Sequence, residues 1–254
     1  MKNEVMIHTQ NNQVQTATKQ TSADQASVNK VALIIGASGL VGENLLNLLL
    51  CSSLYSKVVV LARKPVLVNH HKLTQCIINF ANIEEQLSQW PKVNNEYVLA
   101  ANIKVDHIYC TLGTTIKKAG SKQAFYQVDC HYPVLIAKLF YRHGASMFSI
   151  VTAVGANKHS ALFYNKVKGL VESNLQTIGY QHLTIFRPSM LSGHRQEFRL
   201  GEYLGSKFMS LFSFLIPQRY QIIGATKVAK AMLAHAKSPK TGLHVIQSEQ
   251  LHQY

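Results

Sequence analysis

A chain of 254 residues, 47% of them hydrophobic, with a mean hydropathy of +0.01, suits one α/β domain with a sizeable core and excludes a fibrous or wholly disordered protein. The net charge of +14, with only 12 acidic residues, raises nucleic acid, a membrane surface and anionic small molecules as partners. Lysine and arginine are spread along the whole chain without a run of five, so the charge reads as a solvated basic surface rather than a nucleic-acid site.

Residues 1–28 are rich in Gln, Asn, Thr, Ser and Ala and have no apolar period, which predicts a disordered tail. No apolar segment follows Met1 and Lys2, so the tail does not read as a secretory signal. From Lys30 the pattern changes. Val31 to Ile35 form a short apolar run ending in glycine, as a strand buried on both faces requires. Leu40 to Leu50 follow with helical spacing, and Lys57 to Arg63 form a second buried strand. Further strands are expected at Cys76–Phe80, His107–Leu112, Met147–Thr152, Leu183–Phe186 and His244–Gln247. Helices fit near 83–89, 131–142, 161–177 and 225–236. Strands alternating with helices predict a doubly wound parallel sheet with helices on both faces, the Rossmann fold. Residues 29–254 read as this one domain, with 189–222 as a small C-terminal substrate or partner lobe.

The first strand–helix turn is Gly36-Ala37-Ser38-Gly39-Leu40-Val41-Gly42. One glycine makes the tight turn, one lets the backbone approach a pyrophosphate, and one lets the helix pack closely on the strand. The helix N-terminus then offers free N–H groups to phosphate, and Ser38 can add a hydroxyl. NAD sites usually place an acidic residue about 20 residues further on. Here the sequence is Ala62-Arg63-Lys64-Pro65, so Arg63 and Lys64 are expected to meet the 2′-phosphate of NADP. The strand from His107 ends in Leu112-Gly113, which places those two residues on the ligand crevice.

Tyr164 and Lys168 form a YxxxK pair on one face of a helix. A lysine ammonium beside a phenol favours the phenolate, so the tyrosine can exchange the proton that balances hydride transfer. Thr152, expected to be the last exposed hydroxyl of its strand, is the candidate for orienting the substrate oxygen, and Ser149 is read as structural. The twelve histidines make no HExxH, and Cys51, Cys76, Cys110 and Cys130 make no CxxC, so no metal site is expected. The cysteines read as reduced thiols of a cytoplasmic protein. No apolar run reaches the roughly 18 residues of a membrane span. The apolar stretch 207–216 remains open between a core helix, a substrate pocket lining, a partner-docking segment and a shallow membrane contact.

GASGLVG, CTLGTTIKKAG, QVDCHY, the strand before Gly155-Ala156-Asn157-Lys158, FYNKVKG and FRPSMLSGHRQEFRLGE together resemble the atypical short-chain dehydrogenase/reductases, in the branch of the HIV Tat-interacting oxidoreductase. The resemblance runs from about Val31 to about Leu233. It implies a Rossmann fold binding NADP(H), with Tyr164 as general acid/base and Lys168 as its partner. Arg63, Lys64, Leu112 and Gly113 would lie at the cofactor, with Arg187-Pro188-Ser189, Met190 and Leu191 against its nicotinamide side. The function implied is NADP(H)-dependent reduction of a small carbonyl-type substrate. Thr152-Ala153 stands where the family often has two serines, so the second position lacks a hydroxyl. Members of the branch also resemble regulatory proteins, which makes an NADP(H)-binding scaffold module the alternative.

Overall fold

Val31 to Ile35 can be buried on both faces only inside a layered sheet, and strand β1 (Lys30–Ile35) has Ala32 to Ile35 fully buried. The computed structural model describes residues 29–88, 103–193 and 217–254. After β1 come β2 (Tyr55–Ala62), β3 (Leu73–Ile77), β4 (His107–Cys110), β5 (Met147–Val151) and β6 (His182–Arg187). A small parallel ribbon follows, β7 (Leu191–Ser192) with β8 (Ile223–Gly224), and then β9 (Gly242–Gln247). The main sheet has the order β3-β2-β1-β4-β5-β6-β9, and every adjacent pair is parallel. The order reverses between β1 and β4, so the carboxyl ends of those strands open a crevice where such sheets bind ligands.

The helices in chain order are α1 (Leu40–Cys51), α2 (Ile83–Ser88), α3 (Ile116–Ala119), α4 (Lys122–Tyr126), α5 (Tyr132–Arg142), α6 (Phe163–Gln176), α7 (Ala225–Lys237) and α8 (Ser248–Leu251). One π-helical turn, Gln127–His131, joins α4 to α5. On one face of the sheet, Leu45 and Leu49 of α1 and Val228 and Met232 of α7 share a core with Ala32, Ile34, Val58 and Val60. On the other, Ile136 and Phe140 of α5 and Val167 and Val171 of α6 share a core with Leu33, Ile35, Ile108 and Ile150. Helices on both faces of a parallel sheet are the expected α/β Rossmann arrangement.

One strand is displaced from its expected place. The strand predicted at Cys76–Phe80 runs from Leu73 to Ile77. It lies at the sheet edge, where Thr74 and Gln75 are tolerated, and the Gln75 amide bonds both the N–H and the carbonyl of Val66. Asn79 accepts the N–H of Ala81 and opens a 3-10 turn, which turns Phe80 into the core against the ring of Tyr132, 5.2 Å away. The tail 1–28, the apolar stretch 207–216 and most of the 189–222 lobe lie outside the described residues; of that lobe, 189–193 and 217–222 are described. No helix among the described residues is long and apolar enough to cross a membrane.

Candidate functional site

The glycine turn leaves no room for a side chain at Gly36 or Gly42. Gly36 has φ +84°, and a Cβ there would sit 2.6 Å from the backbone of Thr111. A Cβ on Gly42 would sit 2.1 Å from the carbonyl oxygen of Gly36, and one on Gly39 would sit 3.2 Å from the same atom. The turn is closed by Gly39 N–H donating to the Gly36 carbonyl at 2.9 Å. Thr111 clasps it to β4, its hydroxyl donating to the carbonyls of Ile35 and Gly36 at 3.0 Å each. Helix α1 then begins without a side-chain cap, which leaves its first-turn N–H groups facing outward. Leu40 is half-buried and Val41 is buried in the core, so the Val41 side chain is turned away from the mouth of the turn. Ser38 is exposed at the mouth of the turn. Leu191 packs into the core cluster that holds Leu40, and Gly193 lies so close that a Cβ would meet Leu40 Cδ1 at 2.5 Å.

Arg63 and Lys64 follow β2, the strand beside β1. Both are exposed, and neither has a hydrogen bond or an ion pair among the described residues. Leu112 is half-buried and Gly113 exposed beyond the end of β4. Among the described residues, a Cβ on Gly113 would meet Asp129 Oδ1 at 3.9 Å and nothing nearer, so protein packing leaves room for a side chain here.

Tyr164 and Lys168 share one face of α6. Tyr164 is 37% exposed, and the Lys168 Nζ lies 5.9 Å from the centre of its ring. Phe125 of α4 backs the tyrosine, with ring centroids 5.5 Å apart. Helix α6 sits hard against the loop after β5: a Cβ on Gly169 would be 2.1 Å from the backbone N of Lys158. Lys168 is buried, and its ammonium pairs with Asp129 at 2.7 Å. Burial is the largest influence and lowers the pKa of such an amine, but the Asp129 carboxylate, acting with Tyr164 and Cys110, more than offsets it and holds Lys168 above the ordinary lysine value. Asp129 stands on the widened π turn and also accepts the N–H of Thr114 at 3.0 Å.

The expectation for Thr152 is corrected. Its side chain is buried, not exposed, and its hydroxyl donates to Glu172 Oε1 at 2.6 Å. Glu172, one turn beyond Lys168, also takes two bonds from Arg187, one of them from Nε at 3.0 Å. Thr152, Glu172 and Arg187 thus tie the ends of β5 and β6 to α6. The Thr152 proton is committed to this network and is not offered to the crevice. The neighbouring Ala153 has no hydroxyl to take its place. Ser149, read as structural, is fully buried in β5. Arg187 is spent on Glu172, Pro188 is buried, Ser189 is fixed by the hydroxyl of Ser248 and the carbonyl of Gln221, and Met190 is exposed.

Sequence reasoning missed Thr111, Asp129, Glu172 and Gly169. Tyr164, Lys168 and Glu172 recur every four residues on a helix whose neighbouring face is Val167, Val171 and Leu175, and that polar stripe was a readable signal for Glu172. Asp129 gave none, because its partners lie 15 and 39 positions away.

The chain matches no protein-family model. It is 35% identical to Protein HTATIP2 of Rattus norvegicus over 214 residues, 84% of each chain. It is 33% identical over 170 residues to "Protein FMP52, mitochondrial" of Eremothecium gossypii, covering 67% of this chain and 70% of that one. Among solved structures, the Bordetella bronchiseptica enzyme WbmH in complex with NAD+ superposes with a TM-score of 0.64 at 16% identity, over 86% of this chain and 76% of that one. A short-chain dehydrogenase family protein of Francisella tularensis superposes with a TM-score of 0.58 at 14% identity, over 89% of this chain and all of that one. The parallel sheet, its glycine turn and these likenesses define the fold of the short-chain dehydrogenase/reductases. Within that class, the extent of the HTATIP2 match places the chain in the atypical branch: it belongs to the HTATIP2 family. The cytoplasmic expectation does not stand, because the FMP52 relatives from Eremothecium gossypii and Candida glabrata are named mitochondrial. The four cysteines on which it rested are free thiols, which speaks to redox state and not to address.

Proposed function

We propose that the protein is an NADP(H)-dependent oxidoreductase that reduces a small carbonyl-type substrate. The observation that carries this reading is the half-exposed Tyr164 with the buried, charged Lys168 beneath its ring, on the crevice side of a dinucleotide-type glycine turn. NADPH, when bound, supplies a hydride to the carbonyl carbon. Tyr164 gives its phenolic proton to the carbonyl oxygen, and the Lys168 ammonium offsets the negative charge left on the phenolate. The backbone from Gly36 to Gly42 takes the pyrophosphate, with no Cβ in its way, and the Ser38 hydroxyl stands at its mouth. Leu112, Gly113 and Leu191 would hold the nicotinamide half. Arg63 and Lys64, unpaired and without a carboxylate beside them in sequence, favour the 2′-phosphate of NADP(H) over the free hydroxyl of NAD(H). A bound NAD+ in WbmH supports a nicotinamide dinucleotide in this fold without deciding between the two.

Tyr164→Phe is expected to bind NADPH as the wild type does and to lose turnover. A variant that turns over as fast as wild type removes Tyr164 from the chemistry.

A second reading, an NADP(H)-binding regulatory module, is favoured by the engagement of Thr152 with Glu172 and by the methyl group of Ala153. Wild-type protein that binds NADPH tightly, yet oxidises none of it across a panel of aldehydes, ketones and quinones, would select this reading.

A further inference from the structure

One carboxylate performs two tasks at the heart of the site. Asp129 Oδ1 faces the Lys168 ammonium at 2.7 Å, and Asp129 Oδ2 accepts the Thr114 N–H at 3.0 Å. The side chains involved are almost wholly enclosed, at 0% exposure for Asp129 and 5% for Lys168. The ionisable groups around the pair are Tyr164, Cys110 and Cys130, none of them a second carboxylate. Asp129 stands within the widened turn at Gln127–His131, where it and Cys130 are the buried residues.

We propose that Asp129 is a positioning residue, which keeps Lys168 charged and fixes it against the Leu112–Thr114 turn. The proposal rests on the function proposed above, in which Lys168 serves Tyr164 and the dinucleotide. It goes further in assigning a device that joins the strand-end turn, the widened helix and α6 through a single side chain. The two oxygens explain why the residue must be an acid. An asparagine has one acceptor, so in either orientation its NH2 would face a donor, the Lys168 ammonium or the Thr114 N–H.

The test is a double-mutant cycle on the full chain, read by NADPH binding, with Asp129→Asn, Lys168→Met and both together. Each single change is expected to raise the NADPH Kd by about tenfold or more, and the double variant is expected to bind no worse than Lys168→Met alone. The 13Cε resonance of Lys168 supplies a readout that a purely structural role would not move. It is expected to titrate above the ordinary lysine range in wild type and at lower pH in Asp129→Asn. A Lys168 titration unmoved by Asp129→Asn overturns the proposal, as does an NADPH loss that adds in full on the Lys168→Met background. The wild-type titration needs no variant, and a Lys168 that loses its proton below the ordinary range is by itself enough to overturn it. If wild type binds no NADPH, the dinucleotide reading fails, while the Lys168 titration still decides the role of Asp129.

Discussion

Gly36 and Gly42 meet backbone atoms where a side chain would begin, and backbone cannot swing aside as a side-chain tip can. The Gly42→Ala methyl would lie 2.1 Å from the Gly36 carbonyl oxygen and 2.7 Å from Thr111 Oγ1. The helix start must move to admit it, at a cost of about 1–3 kcal/mol or more. Chemical unfolding of Gly42→Ala is expected to show that loss, together with a collapse of NADPH binding; a variant with wild-type stability would mean the turn is looser than its geometry. Arg63 and Lys64 behave in the opposite way. They are exposed and hold no partner among the described residues, so Arg63→Ala with Lys64→Ala should stay within about 0.5 kcal/mol of wild type in stability. The same double variant should bind NADPH about tenfold more weakly or worse and leave NADH binding unchanged, since only the former carries the charge they meet. Equal losses for the two cofactors would remove them from the 2′-phosphate.

At the scale of elements, α6 is the part on which the site depends. Its inner face carries Tyr164 to the crevice, Lys168 to Asp129, and Glu172 to Thr152 and Arg187. Removing one partner of a buried ion pair leaves the other uncompensated, at about 3–5 kcal/mol when both are fully enclosed. Arg187 keeps 22% of its side chain exposed and can recover water, so Glu172→Gln is expected to cost somewhat less, about 2–3 kcal/mol in urea unfolding. An unchanged unfolding midpoint would show that the Thr152–Glu172–Arg187 tie contributes nothing to holding α6. Gly169 sets how near α6 lies to the loop after β5. Gly169→Ala would drive a methyl into the Asn157–Lys158 backbone and is expected to lower both stability and NADPH affinity, because Lys168 moves with the helix.

For the molecule as a whole, a titratable group is buried on the amino-terminal side of the sheet, at the start of β4. Fully buried His107 bonds the Tyr55 hydroxyl at 2.8 Å and meets Lys30 Nζ at 3.1 Å, and the Tyr55 hydroxyl bonds that of Tyr109 at 2.6 Å. Burial first, and the Lys30 charge second, push the histidine pKa down from 6.5 to about 3. Between those values the unfolded chain binds more protons than the folded one. This side chain therefore removes stability as pH falls from 6.5 toward 3, by at most about 1.4 kcal/mol per pH unit, and restores it on the way up. Urea unfolding midpoints at pH 7, 6 and 5 are expected to fall steadily in wild type and less steeply in His107→Gln. Parallel slopes would assign the acid sensitivity to other groups.

The sequence alone determined the elements with a period: buried strands as continuous apolar runs, the glycine turn between β1 and α1, and the four-residue spacing that puts Tyr164 and Lys168 on one face. Local rules govern these features, so they are legible without a fold. The edge strand β3 blurred, because an edge tolerates polar residues and the apolar run ending in Phe80 belonged partly to the next turn. Tertiary structure alone decided the partners. Asp129 lies 15 residues after Thr114 and 39 before Lys168, and no periodicity announces an ion pair formed by packing a helix against a strand end. The same packing buried the Thr152 hydroxyl on Glu172, where the sequence predicts an exposed hydroxyl at the strand end. The glycine turn and the tyrosine–lysine pair were therefore readable from the chain. Which carboxylate keeps that lysine charged, and which hydroxyl is left free, followed from distances that only the folded chain creates.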